Sequence, residues 1–249
     1  MCLPSWKRTS ACSAWGQRRS ANGPDMNDTR NTNPMESPHA GRGRRLSAML
    51  RAGEAPTDRD FDEVYPPSIQ ALSATFWTPV DIAIRAARLL ALTPGARVLD
   101  IGSGVGKFCI IGALTTPGAY FGVEQRSSLV SAAREAAALF GANIAFTHGL
   151  FSERDPKDYD AFYFFNPFGE NLYEADGWIA PDVELSDARY ERDVSAAEAV
   201  LRDAPVGSFV VTYNGFGGRV PWYYREVRVD RELPSVLRMW QKTVGLSAR

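Results

Sequence analysis

The stretch that most constrains the fold is Arg97 to Glu124, RVLDIGSGVGKFCIIGALTTPGAYFGVE. Val98, Leu99 and Ile101 make an apolar strand that carries an acid, Asp100, and runs into a turn with glycines at 102, 104 and 106. An apolar run of helical length follows, then a short strand, AYFGVE, that finishes on Glu124. Strand, glycine turn, helix, strand and acid, in that order, form the first half of a nucleotide-binding α/β fold. The glycines let the backbone approach a ligand closely, and the new helix points its free N–H groups at whatever sits there. Glu124, at the tip of the second strand, is placed to accept hydrogen bonds from a ribose diol.

The rest of the chain supplies the remaining layers. Before the motif, DIAIRAARLL puts Ile82, Ile84, Ala86, Ala87, Leu89 and Leu90 on a helix packed against a sheet, with Thr78 and Pro79 at its start. After Glu124, SSLVSAAREAAALFG is a second helix stopped by Gly141. A third strand is predicted over Asn143 to Thr147, and YDAFYFF is a fourth, nearly continuous in apolar residues as buried parallel strands are. It runs into NPFGEN. A long amphipathic helix, SDARYERDVSAAEAVLRDA, and a fifth strand in VGSFVVTYNGFGG follow. WYYREVRVD and SVLRMWQKT alternate around a turn containing Pro234 and read as a closing antiparallel hairpin.

Residues 1–55 are rich in Ser, Arg, Gly, Asn and Pro with little apolar periodicity, so they are expected to form a disordered basic and polar tail, with order beginning near Phe61. Its GRGRR cluster (Arg42, Arg44, Arg45) reads as solvated, and Met26, Met35 and Met49 are in-frame alternative starts. Residues 56–245 form the expected domain. A net charge of -1 predicts no strong attraction to nucleic acid or acidic membranes. No apolar run reaches the roughly 18 residues of a membrane span. Cys2, Cys12 and Cys109 have no metal spacing, and only His39 and His148 are present, so no metal site is expected. The thiols point to a reducing, cytoplasmic setting. Lys107 follows Gly106, but Phe108 breaks the GxxxxGK[ST] spacing of a P-loop, and Lys107 reads as a solvent-facing helix residue.

Glycine turns of this kind serve NAD enzymes and S-adenosylmethionine (SAM) enzymes alike. Asp100, two residues before the first glycine, would repel a pyrophosphate and suits the ammonium of SAM. With VLDIGSGVG, the helix in front of it, the Asn166-Pro167-Phe168 break after the fourth strand and the closing hairpin, the chain resembles the class I SAM-dependent methyltransferases over about residues 75 to 242. That resemblance implies a Rossmann-like α/β sheet of seven strands, five parallel plus an antiparallel C-terminal hairpin, flanked by helices. It implies that Asp100 and the backbone of Gly102, Ser103 and Gly104 hold the methionine end, with Gly106 allowing close helix packing. Glu124 binds the ribose, Gln125 lies beside the adenine edge, and Gly149, Leu150 and Phe151 contact adenine. Thr78 is a candidate for the SAM carboxylate. His148 as a general base is disfavoured, because a sulfonium methyl is already electrophilic.

The acceptor side is read from Asn166, Pro167 and Phe168, similar to the (D/N)PP(Y/F) motif of amino-group methyltransferases but with one proline. The Asn166 side-chain carbonyl and the next backbone carbonyl can hold an amine, and the Phe168 ring can face the emerging cation. DIGSGVGKF, YFGVE and FFNPFGEN, with their spacing, resemble the non-SET histone-lysine methyltransferase family (disruptor of telomeric silencing). The N-terminal half of that family's catalytic domain is barely represented. The expected activity is therefore methyl transfer to an amine nitrogen of a protein or small molecule. Transfer to oxygen or carbon of a small metabolite and a non-catalytic SAM-binding module are the alternatives, and an NAD(P) oxidoreductase is disfavoured. The connection Asn171 to Ser186, with Tyr173 and Trp178, is long enough for a lid. Glu170, Asn171, Tyr213 and Asn214 are polar groups expected near the acceptor. Nothing in the sequence specifies an oligomeric state.

Overall fold

A computed structural model describes residues 38–232 and 235–244. Five short or medium helices precede the sheet: α1 (Pro38–Arg51), α2 (Asp58–Asp62), α3 (Pro67–Gln70), α4 (Ser73–Phe76) and α5 (Val80–Leu90). Then β1 (Arg97–Ile101), α6 (Lys107–Thr115), β2 (Ala119–Glu124), α7 (Ser127–Phe140), β3 (Ala145–His148) and β4 (Ala161–Phe165) alternate as the sequence predicts. A connection containing 3-10 turns leads to α8 (Asp187–Asp203), β5 (Phe209–Tyr213), β6 (Tyr224–Glu232) and β7 (Ser235–Lys242).

The seven strands form one sheet in the order β3-β2-β1-β4-β5-β7-β6. β1 pairs in parallel with β2 and β4, β2 with β3 and β4 with β5, while β7 is antiparallel to both β5 and β6. The expected hairpin is therefore present, with its second strand inserted beside β5. The chain moves outward on one side through β2 and β3, returns to β4, and continues on the other side. This makes the gap between β1 and β4 a topological switch point, where α/β sheets open a crevice at the carboxyl ends of their strands.

Alternation along the strands divides the core. Val98 and Tyr163 face α5, α6 and α7, whereas Leu99, Ile101, Phe162 and Phe164 pack with Ala197 and Leu201 of α8. Phe108 stacks on Tyr163 with ring centroids 3.9 Å apart, fixing α6 over β4.

Two expectations are corrected here. Residues 38–51 are helical rather than a tail: Leu46 and Leu50 are buried, and Gly43 packs directly on the backbone of Leu139 in α7. The helix exists because α7 offers a surface to bury a sparse apolar stripe, which local periodicity does not reveal. Arg42 of GRGRR pairs with Glu63. Residues 1–37 lie outside the described residues, as does the Pro234 turn.

Lys107 is the second correction. It is only 2% exposed, and its Nζ lies 2.7 Å from Asp58 Oδ1 and 2.8 Å from Asp62 Oδ1. Asp62 also accepts from the Ser73 hydroxyl, and Asp58 Oδ1 accepts the Val80 N–H at 2.9 Å. The short helix α2 covers the start of α6, and no periodicity marks α2 in the sequence. Removing one partner of such a buried pair strands the other charge. Lys107→Ala should therefore destabilise the fold by about 3–5 kcal/mol in urea unfolding, and a loss below about 1 kcal/mol would show the pair to be energetically idle.

Candidate functional site

The cleft forms where the carboxyl ends of β1, β2, β3 and β4 meet. After β1, the N–H groups of Gly102 and Ser103 both donate to Val123 O at 3.0 Å, folding the turn back onto β2. Gly102, Gly104 and Gly106 have φ of 74°, 52° and 76°. A Cβ on Gly102 would sit 2.8 Å from Pro167 Cβ, and one on Gly104 would sit 2.6 Å from Trp77 Cζ3. Positive φ and close cover together leave those two positions to glycine.

β2 ends in Glu124, 7% exposed. Its Oε2 accepts from Gly104 N–H at 3.1 Å and its Oε1 from Arg126 N–H at 2.8 Å. Burial raises its pKa, opposed by those two N–H groups. The backbone donors aim the carboxylate at the crevice, with lone pairs left for further donors. Gln125 Oε1 accepts from Arg189 Nη2 of α8 at 3.0 Å, and the Gln125 carbonyl lies 3.0 Å from His148 Nε2.

Gly149 follows β3 with φ of 152°, and its N–H donates to Glu124 O at 3.0 Å. Leu150 is partly exposed, while Phe151 is buried against Phe168 with ring centroids 5.3 Å apart. β4 delivers Asn166 in a left-handed conformation, φ 39°. Its N–H donates to Gly215 O at 3.0 Å, and its side-chain amide is packed on Gly169. Asn166 is exposed to the cleft, and no side-chain hydrogen bond joins it to another described residue.

Gly102, Gly104, Glu124, Gln125, Gly149, Leu150, Phe151, Asn166, Pro167 and Phe168 thus line one cleft. Four predicted residues do not. Thr78 is buried, its hydroxyl sharing a hydrogen bond of 3.1 Å with Tyr163 OH. At the start of α5 the Val80 N–H is already taken by Asp58 Oδ1. The Ser103 side chain is buried beside Gly122, its expected part having been its backbone, and Gly106 takes the close-packing place expected of it, under Phe146 and against Ala133 of α7.

Asp100 is the largest departure. The strand alternation turns its side chain toward α6, where Cys109 Sγ lies 3.6 Å from Oδ2. Burial, with the Glu124 charge adding to it and the Cys109 contact opposing it, raises the Asp100 carboxyl to about 8. It stands behind the glycine turn as a neutral acid near pH 7, away from the cleft where the ammonium contact was expected. Of the other expected acceptor-side groups, Glu170 and Asn171 line the cleft. Tyr213 is buried beside Phe165, and Asn214 Oδ1 accepts from Val236 N–H at 3.1 Å. Trp178 is half-buried, its Nε1 donating to Tyr173 O at 3.0 Å.

The sequence reading missed Trp77, Arg126 and Arg189 at this cleft. An arginine two residues past the expected ribose acid was the available signal for Arg126. Nothing local marks Trp77, whose role comes from tertiary contact with Gly104.

The model of the protein-L-isoaspartate(D-aspartate) O-methyltransferase (PCMT) family matches residues 61–149, less than half of the chain. With that match, the strand order and the glycine turn closed on Glu124 decide the class. The chain is a class I SAM-dependent methyltransferase. Its cofactor is S-adenosyl-L-methionine. No curated protein matches the methyltransferase in sequence.

Among solved structures, it is similar to an RNA methyltransferase from Salinibacter ruber in complex with S-adenosyl-L-homocysteine. The identity is 18% and the TM-score 0.49, over 69% of this chain and 97% of that one. A precorrin-6y C5,15-methyltransferase from Geobacter metallireducens is similar at 15% identity and TM-score 0.46, over 67% and 90%. An rRNA methylase from Streptococcus thermophilus is similar at 12% and 0.45, over 66% and 96%. Similarity at these scores decides nothing about substrate. Among the described residues, no helix of the methyltransferase is long and apolar enough to cross a membrane, and no cluster of three or more His, Cys, Asp or Glu could hold a metal ion.

Two measurements follow. Glu124→Ala should weaken SAM binding by about 1–3 kcal/mol in calorimetry, and an unchanged affinity would remove Glu124 from the ribose site. In the ligand-free protein the folded state keeps the Asp100 proton up to about pH 8, whereas the unfolded chain releases it at the ordinary aspartate value of 3.8. The folded state therefore binds more protons across that window, and stability falls as pH rises through it. Asp100→Asn should remove this loss, so its melting temperature should gain on the wild type between pH 5 and pH 8. A constant difference would contradict the buried, neutral acid.

Proposed function

We propose that this methyltransferase transfers its methyl group to an amine nitrogen, with Asn166, Pro167 and Phe168 forming the acceptor side. The observation that carries this reading is Asn166: left-handed, exposed in the same cleft as Glu124, and with a side-chain amide that bonds to no other described residue. Its amide oxygen and the Pro167 carbonyl are acceptors for the N–H groups of an amine. Holding those hydrogens aims the nitrogen lone pair at the sulfonium methyl and stabilises charge developing on nitrogen. Phe168 is buried against Phe151, so its part is to exclude water from the turn and to hold it in place.

The resemblance of FFNPFGEN to the non-SET histone-lysine methyltransferases supports a protein lysine as one such acceptor. A second reading, methyl esterification of a carboxylate, takes support from the PCMT match. That match ends at residue 149, before β4 and the acceptor turn begin.

The two readings separate chemically. Incubation with methyl-labelled SAM and a cell extract should give label that survives mild base, as N-methyl groups do; base-labile label would establish the ester. Asn166→Ala should lower incorporation on the order of 10²-fold while SAM affinity stays within about twofold, and a fully active variant would move the acceptor site elsewhere.

A further inference from the structure

Arg126 has no part in the roles assigned so far, yet its side chain is only 3% exposed and every arm of it is engaged. Its backbone N–H holds Glu124 Oε1 at 2.8 Å. Its guanidinium forks onto Glu170, Nη1 to Oε2 at 2.8 Å and Nη2 to Oε1 at 2.9 Å. Nε donates to Asp182 Oδ1 at 2.9 Å, and Nη2 also to Ala180 O at 3.2 Å. Glu170 Oε1 further accepts Ile179 N–H at 2.6 Å. Glu170 belongs to the same turn as Asn166, in which Gly169 N–H donates to Asn166 O at 3.1 Å. One residue therefore has its backbone on the expected ribose acid and its side chain on the turn that presents Asn166 and on the connection beyond it.

We propose that Arg126 is a positioning residue that couples cofactor binding at Glu124 to the ordering of the acceptor-side segment 168–182. The meaning of that segment as the acceptor side rests on the function proposed above; the coupling itself does not. A ribose held by Glu124 fixes the carboxylate, and the carboxylate fixes the Arg126 backbone. A bidentate guanidinium–carboxylate pair admits one planar geometry, so the fork carries that orientation to Glu170. Asp182 and Ala180 are gathered by the same guanidinium, and Ile179 by Glu170, so the segment is anchored at both ends of the fork. A cofactor that orders the segment reduces the cost of ordering it when the acceptor arrives, and by linkage the anchored segment tightens the cofactor.

The test uses the full chain, S-adenosylhomocysteine as probe, and amide hydrogen exchange. In the wild type, the probe should slow exchange across 168–182 as well as around Glu124. Arg126→Ala and Glu170→Gln should abolish the probe-induced slowing in 168–182, and probe affinity should fall about tenfold. Arg126→Lys, which keeps the charge and loses the fork, should also fail to restore the slowing. An arginine that merely supports the fold would change exchange equally with and without the probe, leaving the probe-induced difference intact in all variants; that result overturns the proposal. So does a wild type in which the probe leaves 168–182 unchanged. Should Arg126→Ala not fold, Glu170→Gln and Arg126→Lys carry the comparison. An active Asn166→Ala enzyme that keeps the probe-induced slowing would overturn the acceptor reading and leave this coupling standing.

Discussion

The turn from Gly102 to Gly106 is closed in by three unrelated parts of the chain, and the rest of the site depends on that enclosure. Pro167 from the β4 exit covers Gly102, Trp77 from the segment before α5 covers Gly104, and Phe146 from β3 covers Gly106. Each contact occupies the space a Cβ would take. Strand β4 can therefore approach β1 closely enough to put Asn166 at the mouth of the same crevice as Glu124. The glycines act here as much through the packing they admit as through the ligand approach they allow.

Three buried acids around this turn are held by different partners. Asp100 receives the Cys109 thiol and lies near the Glu124 charge, so burial keeps it protonated to about 8. Glu124 receives two backbone N–H groups, which offset part of the same penalty. Glu170 is forked by Arg126 and receives Ile179 N–H as well. For Asp100 and Glu124 burial raises the carboxyl, and the donors that each receives oppose it. One acid thus stands behind the turn, one lines the cleft, and one anchors the connection after β4.

Much of this architecture is legible from local pattern. The alternation of apolar strands with helical runs predicts β1 to β5, and the alternating C-terminal segments predict the hairpin. The third strand lies at Ala145–His148, shifted from the expected Asn143 to Thr147, a boundary error that leaves the order intact. What was not legible depends on contact at a distance. Helix α1 has too few apolar residues to announce itself and forms against α7. Lys107 looks like a surface residue until α2 places Asp58 and Asp62 over it. Thr78 sits where a ligand contact is expected, but Asp58 takes the Val80 N–H and Tyr163 the Thr78 hydroxyl.

The sequence by itself determined the kind of fold, the glycine turn, the acid at the end of β2 and the break after β4. These are properties of short stretches, set by periodicity and by backbone freedom. Tertiary structure alone decided which of the marked residues meet in the cleft. It turned Asp100 behind the turn, because consecutive strand residues face opposite sides of the sheet and α6 covers that side. It also joined Arg126 to Glu170 across 44 residues. Strand order, rather than anything near either residue in sequence, brings the ends of β2 and β4 to the same edge of the sheet.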